Sequence, residues 1–339
     1  MTPSSPMIVA EISGNHNKSL DRALDIVRAV AGAGAHAVKL QTYTADTITL
    51  NVDAPAFRVS DGHALWASRT LYDLYDEAHT PWEWHKPIFA LAKELGLIAF
   101  SSPFDETAVE FLESLDAPMY KIASLEIVDL PLIQLVAQTG KPVIISTGTA
   151  TIAEVAAAVD AARSAGCVDL TLLACTSAYP ASPDDANLRR MPALAAIFGT
   201  KVGFSDHTLG TGVSVAAVAL GATLIEKHVT LRREDGGVDS AFSLEPHELN
   251  RLVQDSDDAF RALGSSNAWS FAAEAESLRL RPSLYVTQDV AAGELVSPDN
   301  VRSVRPSGGL PPIDIDRVVG RRFARMTPIG TPVSWGLFS

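Results

Sequence analysis

Cysteine is nearly missing from this chain: Cys167 and Cys175 are the two present in 339 residues. Eight positions apart in mostly strand-like sequence, they suit neither a disulfide framework nor a zinc ribbon, and they read as reduced packing residues. Long hydrophobic runs are missing too. The apolar run at residues 213–222 falls well short of the roughly 20 residues a membrane span needs, so a soluble protein is expected. Nor is there an excess of basic charge, since 27 Lys and Arg against 40 Asp and Glu leave a formal charge of -13. That balance argues against nucleic acid or an anionic membrane as partner, and any anionic substrate must meet a local cluster of lysines. The opening MTPSSPMIVAEI lacks the basic region and long apolar stretch of a secretory signal, which predicts a cytoplasmic protein.

With 47% hydrophobic residues, the chain can bury one large core and a small second domain. From residue 8 to about 263, short β-branched or apolar runs alternate with longer amphipathic stretches, as in repeated strand-helix units around a parallel sheet. Eight strands are predicted, beginning at Ile8, His36, Leu97, Pro118, Pro142, Asp169, Lys201 and Ala222. Helices are predicted between them, for instance from Leu20 and from Thr151, the latter stopped by Gly166. Eight such units in about 260 residues match a closed (β/α)8 TIM barrel, an α/β fold, over residues 1–265. The rival open doubly wound sheet wants GxGxxG after its first strand, where ISGNHN stands instead. Residues 42–81 form an aromatic-rich insertion that is either a lid over the barrel mouth or a packed loop. A polar linker is predicted at 266–281, and at 282–339 a small domain of short strands and tight turns rich in Gly and Pro.

Barrel enzymes work where strands run into the following loops, so polar residues at strand ends are informative. Here they are Glu11, Lys39 with Gln41, Ser101 with Ser102, Lys121 with Ser124, Ser146 with Thr147, Ser177 with Tyr179, Asp206 with His207, and Glu226, Lys227 and His228. Strand alternation puts Glu226 and His228 on one face and Lys227 on the other. His207 and His228 end neighbouring strands, close enough for both imidazoles to reach one ion such as Mn2+, with positions left for water and substrate. Spacing alone is equally compatible with two hydrogen-bonding histidines and no metal. Lys39 and Lys121, with the hydroxyls of Ser102, Ser124, Ser146 and Thr147, would make a cationic, donor-rich patch for a phosphate and a carboxylate. A lysine at a buried strand end also suits a Schiff-base aldolase, which needs no metal and releases no phosphate. A non-catalytic carbohydrate-binding protein, working through the C-terminal module, is the third reading.

Seven segments in order, AEISGNHN, VKLQTYTADT, FSSPFD, YKIAS, ISTG, SDHT and EKH, together resemble the sialic acid synthase family. The segment DVAAGELVSPDNVRSVRPSGG resembles that family's C-terminal antifreeze-like (SAF) domain, so the resemblance spans nearly the whole chain. Within the family, LYDLYDEAHTPWEWHKPIF, CTSAYPASPDDANLR and GGVDSAFSLEP look more like the branch that makes pseudaminic acid than the one that makes N-acetylneuraminate, with N-acetylneuraminate or legionaminate as the alternative product.

The resemblance implies a condensation of phosphoenolpyruvate with an acetamido sugar, 2,4-diacetamido-2,4,6-trideoxy-L-altrose in that branch. It places phosphoenolpyruvate on Lys39, Ser102, Lys121, Ser124, Ser146 and Ser177, with Mn2+ or Mg2+ on His207 and His228. Ser177 stands where the wider family has asparagine. Glu126 is assigned the water, Glu11 a sugar hydroxyl near the reacting centre, and Asp239 and Tyr179 the sugar pocket. Arg305 matches an arginine that a domain-swapped partner subunit presents to the sugar's N-acetyl group, which implies a homodimer. Lys18 after NHN and Thr149 in STGTA depart from the family's usual glycine and methionine.

Overall fold

The computed structural model describes residues 5–60, 65–265, 267, 269 and 271–339. The chain divides into two compact units, Met1–Leu263 and Gly264–Ser339. In the first, eight parallel strands close a barrel: β1 Met7–Glu11, β2 Ala37–Thr42, β3 Ile98–Pro103, β4 Tyr120–Ile122, β5 Val143–Ser146, β6 Leu170–Cys175, β7 Lys201–Asp206 and β8 Leu224–His228. Each strand pairs with the next, and β8 returns to β1 with Glu11 opposite His228. The expected (β/α)8 barrel is what the chain forms. Helices follow each strand: α1 Leu20–Gly32, then α2 Ala45–Ile48, α3 Leu71–Ala78 and α4 Trp82–Glu94 together after β2, then α5 Glu106–Ser114, α6 Leu130–Gln138, α7 Ile152–Ser164, α8 Arg190–Phe198, α9 Gly212–Ala219 and α10 Pro246–Ala262.

Local chemistry fixes the helix starts. Ser19, Thr70 and Asp105 each accept a backbone N–H of the first turn, and Thr151 with Glu154 closes a reciprocal capping box, satisfying donors the helix itself leaves orphaned. Gly166, at φ +102°, carries the chain out of α7 in a conformation that side chains resist.

Strand alternation then sorts every barrel residue. One set, with Ile8, Val38, Ile122, Val143, Leu172, Val202 and Ile225, packs under the helices in the large core. The other set faces inward and begins with an apolar floor of Val9, Ala37, Phe100, Ile144, Leu173 and Leu224. Two residues further along the same strands come Glu11, Lys39, Ser102, Ser146, Cys175 and Glu226, so the inward face turns from apolar to charged within one step of the pleat. Gly203 belongs to this inward set. A Cβ there would intrude on the Leu224 carbonyl and stand 2.7 Å from Leu173 Cδ2, so only glycine lets β7 lie this close to β8.

The insertion carries α2 and α3; its residues 61–64 lie outside the described residues. In the second unit an antiparallel pair, β9 Ser283–Val286 and β10 Val301–Val304, packs Leu284, Val286 and Val301 against Val318, Phe323 and Val333. Residues 266–281, expected as a linker, include a short helix α11 Ala275–Arg279, while positions 266, 268 and 270 lie outside the described residues. Among the described residues no helix is long and apolar enough to cross a membrane.

Candidate active site

The charged layer gathers at the C-terminal ends of the strands. Lys39 Nζ contacts the Glu11 carboxylate and lies 3.3 Å from Ser102 Oγ and 3.8 Å from Glu226 Oε1. Lys121 Nζ donates to both oxygens of Glu226, at 3.1 and 3.0 Å, and Ser205 Oγ adds a third donor at 3.2 Å. All four ionic side chains are buried. Burial pushes the Glu226 carboxyl up, but Lys121 and Lys39 outweigh it and hold Glu226 well below the usual carboxylate range. Glu11 goes the other way: burial, reinforced by Glu226, raises it although Lys39 is adjacent. Two ammonium groups thus share one firmly ionised carboxylate, and an anion entering here would meet donors already aimed at a single point.

Hydroxyls complete this cradle. Ser146 Oγ is buried with no hydrogen-bond partner, which marks it as a donor held for something else. Ser124 Oγ accepts from the Gly148 N–H at 3.2 Å, and a Cβ on Gly148 would collide with Ser177 Oγ and stand 2.7 Å from Ser124 Oγ. Ser124 and Ser177 therefore converge over a bare backbone. Thr147 does not join them, since its hydroxyl donates to the Leu173 carbonyl at 3.1 Å.

The two histidines also meet, with ring centroids 5.3 Å apart. His207 Nδ1 lies 3.0 Å from the Thr176 carbonyl; donating there fixes the tautomer and leaves the Nε2 lone pair for an ion. His228 Nδ1 is buried without a partner, 3.7 Å from Asp239 Oδ2. Burial, with His207 and Lys39 nearby, holds His228 well below its ordinary pKa and hence neutral, the form that binds metal. Among the described residues no three or more His, Cys, Asp or Glu side chains are grouped to hold an ion. An orphaned imidazole nitrogen beside a second, oriented imidazole fits a divalent ion held by two protein nitrogens, with other positions left to water and substrate.

A cavity of about 570 Å³ opens above, within the roughly 300–1,000 Å³ typical of ligand sites. Ser13, Gln41, Ser124, Glu126, Tyr179, His228 and Asp239 line it. Glu126 sits in the short 3-10 turn that follows β4, where burial raises its carboxyl to about 7. Asp239 is reached through a relay: Asn15 Nδ2 donates to the Val229 carbonyl and to Ser243 Oγ, both at 2.8 Å, and Ser243 Oγ donates to the Asp239 carbonyl at 2.7 Å. That relay explains why an asparagine follows β1. Tyr179 packs on His207, centroids 4.4 Å apart, and on Phe242.

Most residues singled out from the sequence therefore come together in one barrel mouth. Arg305 lies in the second unit, exposed, just after β10. Three of the strand-end polar residues fall on the other face. Asp206 and Lys227 pair with each other at 2.9 Å, fully buried, and Ser101 bonds Thr42, which in turn meets His85. Alternation assigns all three outward, and Lys227 was expected there. Sequence reasoning gave no role to Glu226, although the inward phase it shares with His228 was visible, and no role to Gly148, whose demand depends on where Ser124 and Ser177 stand. The departures Lys18 and Thr149 both occupy left-handed backbone, φ +56° and +64°, where glycine is easiest. Lys18 offsets this by reaching the Asp76 carbonyl of α3.

The NeuB family model matches residues 26–268, and the SAF domain model residues 281–339. The chain belongs to the NeuB family. It is 42% identical to the pseudaminic acid synthase of Helicobacter pylori over 330 residues, 97% of this chain and 96% of that protein. It is 40% identical to the pseudaminic acid synthase of Campylobacter jejuni serotype O:2, covering 99% and 98% of the two chains. The solved N-acetylneuraminic acid synthetase of Leptospira borgpetersenii aligns at TM-score 0.71 and 29% identity, over 81% of this chain and 90% of that one. Members of the NeuB family and this chain thus share the barrel, and the second unit carries the SAF module.

Proposed function

We propose that this chain is a pseudaminic acid synthase: it condenses phosphoenolpyruvate with 2,4-diacetamido-2,4,6-trideoxy-L-altrose and water, giving pseudaminic acid and phosphate. The observation that carries the reading is the junction, in one barrel mouth, of the Lys39–Lys121 hydroxyl cradle with the His207–His228 pair. The 42% identity to the H. pylori pseudaminic acid synthase over nearly the full length supports the choice of sugar.

Lys39, Lys121, Ser102, Ser124, Ser146 and Ser177 hold the phosphate and carboxylate of phosphoenolpyruvate. His207 and His228 would hold Mn2+ or Mg2+, which when bound supplies a Lewis acid for the aldehyde oxygen of the open-chain sugar. Tyr179 and Asp239 place that sugar so that C3 of the enol attacks the aldehyde carbon and forms the new C–C bond. Water then adds at C2. Glu126, raised to about 7, takes the water's proton at neutral pH, and phosphate leaves as the C2–O bond breaks. Glu11 bonds a sugar hydroxyl beside the reacting carbon. Arg305, supplied by a partner subunit in a domain-swapped homodimer, meets an N-acetyl group, and the enzyme works in the cytoplasm.

The test is phosphate release with either 2,4-diacetamido-2,4,6-trideoxy-L-altrose or N-acetylmannosamine as acceptor. The bis-acetamido sugar should be turned over faster, EDTA should abolish turnover, and added Mn2+ should restore it. Faster use of N-acetylmannosamine would overturn the choice of sugar. A covalent adduct trapped by borohydride with pyruvate, without phosphate release, would replace the whole mechanism with imine chemistry.

A further inference from the structure

Both polar and apolar side chains line the cavity. Its floor is Ser13, Glu126, His228 and Asp239, where the chemistry lies. Much of its apolar lining comes from the insertion after β2: Ile48, Val59, Trp66, Leu71 and Leu74 all face this space. The hydroxyls that segment adds to the lining are those of Ser60, Tyr43 and Tyr75. Trp66 joins this lining to the residues of the chemistry. Its indole Nε1 donates to the Val238 carbonyl at 2.9 Å, one residue before Asp239, and its ring lies 5.7 Å from that of Tyr179, which packs on His207.

From this geometry we infer that Ile48, Val59, Trp66, Leu71 and Leu74, with Trp66 as keystone, form the sugar-selecting roof, reading the C6 methyl and acetamido methyls of the bis-acetamido trideoxy substrate. The inference rests on the activity proposed above and names the residues that choose the sugar. A 6-deoxy sugar with two acetamido groups offers three methyls to an apolar wall. N-acetylmannosamine offers one, and it brings a C6 hydroxyl that would lose its water against Val59, Leu71 and Leu74. A methyl more or less in an apolar pocket, or an added hydroxyl, changes kcat/KM by about 10- to 200-fold, so the roof suffices for a strong preference. Val238, also in the lining, joins the roof through its carbonyl to the segment that carries Asp239.

The experiment compares kcat/KM for the two sugars in wild type, Trp66→Ala, Trp66→Phe and Val59→Thr, with KM for phosphoenolpyruvate and melting temperature measured alongside. Trp66→Ala should cut the preference at least about tenfold, mainly through KM for the bis-acetamido sugar, with KM for phosphoenolpyruvate within about twofold of wild type. Trp66→Phe, which keeps a ring but loses the Val238 bond, should fall between. Val59→Thr is nearly isosteric and puts a hydroxyl into the roof, so it should shift the preference the same way in a normally folded protein, and it decides the matter should Trp66→Ala unfold. Wild-type protein that ignores the bis-acetamido sugar overturns the underlying activity and this inference with it. Wild type that uses that sugar, with an unchanged preference in Val59→Thr and Trp66→Ala, overturns the roof alone.

Discussion

Gly148→Ala separates the cradle from the fold. Its backbone is not left-handed, so alanine meets no left-handed strain there. The added methyl would overlap Ser177 Oγ, sit 2.7 Å from Ser124 Oγ and 3.1 Å from Ser124 Cβ. Two hydroxyls must therefore rotate away, and the Ser124 backbone must yield by a few tenths of an ångström. Hydroxyl rotation is cheap; we expect a stability loss of about 1 kcal/mol or less, a melting shift of about 2–4 °C in a domain of this size. Binding should suffer more. A hydrogen bond to a charged ligand is worth about 1.5–3 kcal/mol. Losing one should raise KM for phosphoenolpyruvate about tenfold, and losing both by 100-fold or more. Steady-state phosphate release with phosphoenolpyruvate varied at saturating sugar, beside a thermal melt, measures both quantities. A folded variant whose KM for phosphoenolpyruvate stays within twofold of wild type would refute the claim that Ser124 and Ser177 hold the phosphate.

Glu126→Gln should change how stability depends on pH. Because the folded carboxyl is raised from 4.5 to about 7, the native state binds more protons than the unfolded state between those values, and this group's contribution falls as pH rises through that window. The variant should thus gain on wild type from pH 4.5 to 7 and level off above, by at most about 3 kcal/mol in urea unfolding; a flat difference would contradict the raised pKa. Lys227→Met leaves the buried Asp206 carboxylate unpaired and should destabilise by about 3–5 kcal/mol in the same assay. A loss below about 1 kcal/mol would mean that Asp206 is already satisfied by Thr208 and Ser214. Glu226→Ala strands the buried Lys121 ammonium and leaves Lys39 with Glu11 alone, so phosphoenolpyruvate should raise its melting temperature by more than it raises that of wild type. An equal rise in both would show that Glu226 does not balance the lysines in the free protein.

The barrel was legible because parallel strands buried on both faces read as short apolar runs, and each of the eight appears within two residues of its predicted start. The candidate site followed from period two: once His228 faces inward, so do Glu226 and Leu224 on the same strand. Less legible was anything set by distance between strands. That Lys39 and Lys121 both turn to Glu226, or that Gly148 must lack a side chain, depends on atoms more than 20 positions away in the chain. Residues 42–81 were ambiguous for a related reason. Their aromatic content fits a packed loop as well as a lid over the barrel mouth, and that several of their side chains line the cavity, with the Trp66 indole bonded to Val238, depends on contacts far along the chain.

Gly203 stands four residues before His207, and Leu224 four before His228. Strands of this kind climb about 3.3 Å per residue, so the close approach of β7 to β8 lies at the waist of the barrel, roughly 13 Å back along the strands from the two imidazoles. New ligands could be grafted at the rim, re-equipping it for another ion, while the waist kept its width. One methyl at 203 would do the reverse, altering what any pair of donors above it can grasp while leaving every one of those donors in place.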